Sequence, residues 1–197
     1  IGLDAKTGKN VWKLPRKKIA NWTSPVTFTV GGKTHVALLS QDGVAAVDPA
    51  TGSQLWKLPG GTTTPSCAAS GSVLYVPANG TTAYDLSKTG TEPEQLWQST
   101  QLANATASPV VSGEFIYTLN GAGVLAKATI ADGKSLWKLR LNGKFSGSPV
   151  VCGQYLYVVS EEGVLKVVDT AAEEGALVAE LKLGGQLLCT PSISDGK

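Results

Sequence analysis

The stretch Val47-Asp48-Pro49-Ala50-Thr51-Gly52-Ser53-Gln54-Leu55-Trp56 decides the fold, because it recurs. Leu3-Asp4-Ala5-Lys6-Thr7-Gly8-Lys9-Asn10-Val11-Trp12 has the same spacing of acid, Thr-Gly pair and tryptophan. Trp12, Trp56, Trp97 and Trp137 sit in the strand-like runs NVWKL, QLWKL, QLWQS and SLWKL, at spacings of 44, 41 and 40 residues. A fifth copy, LVAELKLGG, places Ala179 at the tryptophan position, 42 residues further on. A fixed period of this length marks a repeat architecture.

Two further markers keep the register. A hydroxyl residue precedes proline at Ser24-Pro25, Thr64-Pro65, Ser108-Pro109, Ser148-Pro149 and Thr190-Pro191, and a short apolar run follows each pair. Glycine closes a turn between alternating runs at Asp42-Gly43, Asn79-Gly80, Gly121-Ala122-Gly123 and Glu162-Gly163. In the second complete unit the strands read SCAAS, SVLYVP, TTAYDL and EQLWQS. Alternation of apolar and polar residues, with β-branched and aromatic enrichment, predicts strands. Ala171-Ala172-Glu173-Glu174 reads as a turn insertion rather than a helix.

Four strands per unit of about 40 residues predict an all-β chain, a β-propeller of four-stranded antiparallel blades. One blade cannot bury both of its faces, so it stacks on its neighbours. The expected blades are 1–22 (partial), 23–60, 61–103, 104–144, 145–187 and 188–197 (partial). That is about four and a half blades, either a partial propeller or half of a dimeric ring. Open edges would favour such pairing. The last segment, TPSIS, is expected to be a first strand.

The recurring motif has a mechanical reading. Thr-Gly makes a tight turn. The aspartate accepts hydrogen bonds from turn amides. The tryptophan packs between blades, where it buries roughly 150–250 Å². The residues carrying these roles are Asp4, Thr7, Gly8, Trp12, Asp48, Thr51, Gly52, Trp56, Asp85, Trp97, Trp137 and Asp169. The third copy, at Tyr84-Asp85-Leu86, has extra residues before Trp97. The fourth keeps Asp132-Gly133-Lys134 but has Ala128 at the expected acid position, and the fifth keeps Asp169 and loses Thr-Gly. The Ser/Thr-Pro pairs open the innermost strands, where crowding favours small residues and Pro is tolerated.

The motif resembles the tryptophan-docking motif of quinoprotein-type (PQQ-like) propellers, A-x-D-x-x-T-G-x-x-x-W, along essentially the whole chain. The resemblance implies a ring of seven or eight blades. Its style is nearest to non-catalytic outer-membrane-assembly-lipoprotein propellers, which implies binding of a protein partner through loops on one face. The family also contains dehydrogenases that use PQQ with calcium, a catalytic Asp and, in many members, a vicinal Cys-Cys pair. No Cys-Cys pair occurs here.

Composition narrows the classes further. The 197 residues are 42% hydrophobic and 16% charged, with 23 glycines and a net charge of +2. This charge is too small to imply nucleic acid, and no apolar run has the ~18 residues of a membrane helix. Cys67, Cys152 and Cys189 form neither a CxxC nor an even framework. They read as small buried hydrophobes in strands. The lone His35, in GKTHVALLS, supplies neither a zinc site nor a triad. Pro59-Gly60-Gly61-Thr62 lacks the lysine of a phosphate loop and reads as a turn. The sequons at Asn21, Asn79 and Asn104 matter only in a secreted eukaryotic chain. Arg16-Lys17-Lys18, in the connection between Trp12 and Pro25, is the one basic cluster and the candidate partner contact.

The expectation is a non-catalytic propeller scaffold that binds protein or ligand, with no cofactor or metal. It is placed in the periplasm or outside the cell, although no export signal is visible and the chain has no Met. A homodimer that closes the ring is a second expected partner arrangement. One alternative is a fragment of a PQQ- and calcium-dependent alcohol or sugar dehydrogenase. Another is the sensor ectodomain of a longer, membrane-anchored chain.

Overall fold

A computed structural model describes residues 1–88 and 92–194. The third copy's extra residues fall partly in 89–91, outside the described residues, as do 195–197. All regular structure among the described residues is strand. β1 (Gly2–Leu3) and β2 (Asn10–Trp12) form a two-stranded sheet. Four four-stranded meanders follow, each in chain order. The first holds β3 (Val26–Val30), β4 (Lys33–Ser40), β5 (Gly43–Val47) and β6 (Gln54–Leu58). The second holds β7 (Ala68–Ser70), β8 (Val73–Val76), β9 (Thr81–Asp85) and β10 (Glu94–Ser99). In the third are β11 (Val110–Ser112), β12 (Phe115–Leu119), β13 (Val124–Thr129) and β14 (Ser135–Arg140). The fourth contains β15 (Val150–Cys152), β16 (Tyr155–Val159), β17 (Val164–Asp169) and β18 (Ala176–Lys182). Every pairing is antiparallel.

The middle strands are buried on both faces, and their period of two sends alternate residues to opposite neighbours. Leu74 and Val76 pack back onto the first meander with Val44, Ala46 and Leu58. Tyr75, between them in sequence, faces forward into a core with Trp97, Ile116, Ala126 and Ala128. Tyr117, Leu119, Leu125 and Trp137 meet Leu156, Val158 and Val168 in the next interface. The core is therefore a series of inter-blade slabs rather than one centre. This is why each blade needs its neighbours.

The first strands β3, β7, β11 and β15 touch in series, which makes them the innermost elements. The fourth strand always pairs with the third through a bulge beside the tryptophan position. Trp56 lies opposite Ala46, Trp97 opposite Ala83, Trp137 opposite Lys127, and Ala179 opposite Val167. The bulge turns the ring out of the ladder towards the next blade.

The last expected strand is not formed. Residues 191–194 carry no strand ladder, because no second strand lies beside them among the described residues. The cysteines also differ from expectation. Cys67 is buried, but Cys152 and Cys189 are exposed, since β15 shows one face to solvent and Cys189 lies in a connection.

Candidate functional site

Two sets of residues recur from blade to blade, and a third departs from them. The first set is the turn between third and fourth strands. The Asp4 carboxylate accepts from the amides of Lys6 and Thr7 and from the Thr7 hydroxyl, at 2.7–3.1 Å. Asp48 accepts from the amides of Ala50 and Thr51 at 2.7 and 3.2 Å. Asp85 receives the Ser87 amide and hydroxyl, and Asp169 the Ala171 amide. Hydrogen bonds from the Thr7 hydroxyl and the Ser87 amide hold the Asp4 and Asp85 carboxyls below the ordinary carboxylate range.

The fourth copy keeps this turn with its polar pair exchanged. Gly8 and Gly52 donate to the carbonyls of Asp4 and Asp48, and Gly133 donates to that of Thr129. Thr129, not Ala128, thus stands at the acid position; sequence alignment is one residue out here. The carboxylate has moved to Asp132, which accepts from the Thr129 hydroxyl and the Lys134 amide. These bonds, led by the Thr129 hydroxyl, lower the Asp132 pKa. In the fifth copy Gly175, after the insertion, takes the place of the turn glycine.

Gly52, Gly133 and Gly175 each lie against the tryptophan of the blade before, whereas a Cβ on Gly8 would meet nothing within 4 Å. A Cβ on Gly52 would stand 2.5 Å from the Trp12 ring, and one on Gly133 would stand 2.5 Å from Trp97. On Gly175 it would lie 3.0 Å from Trp137. The indole nitrogens of Trp12 and Trp97 donate to Pro49 O (2.7 Å) and Ile130 O (2.9 Å). Both carbonyls belong to the residue just after the acid position. An aromatic residue of the same blade tilts against each of three rings: Phe28 on Trp56, Tyr75 on Trp97 and Tyr117 on Trp137, at 5.9–6.2 Å.

The Trp137 interface is built differently. By analogy its acceptor is Thr170 O, but the ammonium of Lys127 holds that carbonyl at 2.8 Å. Lys127 is buried, with its ammonium 3.8 Å from the centre of the Phe115 ring. Burial pulls its pKa down. The buried Trp137 Nε1 is left without a partner among the described residues. Nothing in the sequence marked Lys127, because its partner lies 43 residues away.

The second recurring set lines the innermost strands. The amides of Ser24, Ser66, Ser108 and Ser148 donate to the hydroxyls of Ser66, Ser108, Ser148 and Thr190, at 2.8–2.9 Å. A hydroxyl ladder thus passes from blade to blade at steps of 42, 42, 40 and 42 residues. In the second complete blade the ladder residue is Ser66 rather than Thr64. Cys67 occupies the usual proline position there.

The basic cluster lies on the face that holds the hairpins between second and third strands. The Arg16 guanidinium donates to Leu38 O (3.3 Å) and Ser40 Oγ (2.8 Å). Lys17 is 3.6 Å from Asp42. Lys18 is exposed. Sequence reasoning grouped the three; the structure gives them different surroundings. His35, on β4, is partly buried beside Phe28, and its Nδ1 has no partner among the described residues.

Among the described residues, no group of three or more His, Cys, Asp or Glu is placed to hold a metal ion. No helix among them is long and apolar enough to cross a membrane. No curated protein matches the chain. A solved structure of BamB from Moraxella catarrhalis shares the fold, with a TM-score of 0.76 and 18% identity over 98% of this chain. This chain spans 58% of the length of that structure. The family model described as outer membrane protein assembly factor BamB matches residues 1–76 and 79–178, and with these repeats, bulges and turns in place the chain belongs to that family of PQQ-type propellers.

Proposed function

We propose that the chain is a non-catalytic propeller scaffold that binds a protein partner through one face, outside the cytoplasm. The observation that carries this reading is how the motif acids are used. Asp4, Asp48, Asp85, Asp132 and Asp169 each accept hydrogen bonds from amides of their own turn. The charge that repeats along the chain therefore serves the scaffold rather than a common pocket. In this reading the motif residues hold neighbouring blades in register, and the loops that vary between blades do the binding. The family's name, an assembly factor of the outer membrane, supports both the partner class and the compartment.

The discriminating experiment is a titration of the chain with PQQ and calcium, followed by tryptophan fluorescence and equilibrium dialysis. The scaffold reading expects no saturable binding up to millimolar calcium. Stoichiometric binding of PQQ in the presence of calcium, with protection of the chain against unfolding, would overturn it in favour of the dehydrogenase reading.

A further inference from the structure

We propose that the connection 13–25 is a preformed arm that docks an acidic, extended segment of a partner protein carrying an apolar side chain. This rests on the scaffold reading and names its contact site. The arm is the longest link between a fourth strand and the next first strand. From β2 to β3 it spans 13 residues (13–25), against nine (59–67), ten (100–109) and nine (141–149) in the later links. It contains Lys13, Arg16, Lys17 and Lys18 and no acidic residue.

The backbone of the arm is pinned. Asn21 Nδ2 and Thr23 Oγ1 donate to Leu39 O at 3.0 and 2.7 Å. The Trp22 amide donates to Thr63 O of the next blade at 2.8 Å. Arg16 ties the other half to the end of β4. A cleft of about 360 Å³ lies against it, lined by Arg16, Lys17, Ile19, Asn21, Asp42 and Lys57 among others. A segment held this way loses little freedom on binding.

The side chains left outward are the informative ones. Trp22 is 70% exposed, more than any other large apolar residue described. Two residues before the ladder hydroxyl, the later copies carry Thr64, Thr106, Ser146 and, at the last, the exposed Leu188. Packing therefore does not ask for an indole there. Large exposed aromatics beside cationic residues are typical anchors of protein interfaces. Lys17 is partly neutralised by Asp42, while Lys13, Lys18 and Lys57 have no acidic partner among the described residues. The free charge is positive, so the complementary segment is acidic. It is confined to one link and the adjoining Lys57 of β6, which suits a short peptide better than a bilayer surface or a duplex, both of which present an extended charged field.

The test uses a fluorescein-labelled ten-residue peptide of Asp and Glu with a central Phe, and the same peptide with Asn and Gln in place of the acids. Fluorescence anisotropy reads binding to the wild-type chain, Lys18→Glu and Trp22→Ala. Both side chains are exposed, so circular dichroism is expected to match wild type. The acidic peptide binds and its amide counterpart does not. Lys18→Glu weakens binding about tenfold and flattens the salt dependence. Trp22→Ala weakens it about tenfold at every salt concentration. Equal binding by all three proteins, or no binding, sinks the arm. So does a result in which anionic vesicles of phosphatidylglycerol or duplex DNA, and not the peptide, distinguish the variants. These outcomes leave the scaffold reading intact, because that falls only with PQQ and calcium binding.

Discussion

Gly133→Ala tests the inter-blade joint directly. Gly133 has φ +68°, in the left-handed region, and a Cβ there would stand 2.5 Å from the Trp97 ring. Gly113, a turn residue of the same blade, has φ +57° and nothing within 4 Å of a Cβ. Both substitutions cost the backbone about 1–2 kcal/mol, the penalty of an L-residue in that conformation. Only Gly133→Ala also drives a methyl into a packed ring, which adds about 1–3 kcal/mol. The ring cannot swing aside freely, since its nitrogen is held by Ile130 O and Tyr75 tilts against its face. The expected losses are about 2–5 kcal/mol for Gly133→Ala and about 1–2 kcal/mol for Gly113→Ala. Urea unfolding followed by circular dichroism gives both values. A third arm repeats Gly133→Ala in a Trp97→Ala background, where the extra loss vanishes if the ring is its cause. Equal losses for the two glycines in the wild-type background would refute the joint.

The other expectations are read from single sites. Lys127→Met frees Thr170 O for Trp137, so the Trp137 indole proton shifts downfield and exchanges more slowly in NMR; an unmoved resonance contradicts the exchange of donors. Stability changes by no more than about 1.5 kcal/mol, because one donor replaces another. Asp132 has a depressed folded pKa, so its contribution is complete above the unfolded value of about 3.9 and is lost as pH falls through the folded value. The urea midpoint of Asp132→Asn should therefore fall less steeply below about pH 4 than that of the wild type; parallel curves would exclude the turn bond as the cause. Burial pushes the Cys67 thiol up to about 12, while Cys152 and Cys189 are exposed. Ellman's reagent at pH 8 then labels two thiols quickly and the third only on unfolding, and three fast thiols would contradict the packing of Cys67 between blades.

The fold was legible because its marker residues have few substitutes. Only glycine fits under an indole at the closest approach, and the spacing from Asp48 through Gly52 to Trp56 is fixed by one turn and one bulge. The errors arose where chemistry was exchanged between positions. Ala128 aligns with the motif acid because Thr129 and Asp132 have exchanged hydroxyl and carboxylate. Thr64-Pro65 matches the Ser/Thr-Pro pattern two residues before the ladder position, where Ser66 is followed by Cys67 in place of proline. Lys127 was silent because a buried lysine in VLAKAT acquires meaning only from a carbonyl one blade away. The arm was visible as charge, whereas Trp22 drew no notice: its exposure depends on the path of the link and not on its neighbours in sequence.

The same topology bears on the homodimer expected from the open ends. Ile1, Leu3 and Val11 are exposed at one end, and Leu177, Val178 and Leu181 at the other, so each end offers an apolar face. A head-to-tail pair would build each junction blade from residues 191–194 of one copy and β1 and β2 of the other. In the order of the repeat, 191–194 hold the place of a first strand, though no ladder forms there, and β1 and β2 hold those of strands three and four. Strands one and three of a meander lie two spacings apart, roughly 9–10 Å, too far for a hydrogen bond between them. No described element of either copy is left to supply the second strand. The count also overshoots, since two sets of four complete blades and two junctions make ten, against the seven or eight that the resemblance implies. On this strand order, two copies of the described elements are therefore expected not to close a ring. Light scattering should give a mass near 20.3 kDa, and a compact closed dimer at twice that mass would show that the junction finds a pairing this strand order does not allow.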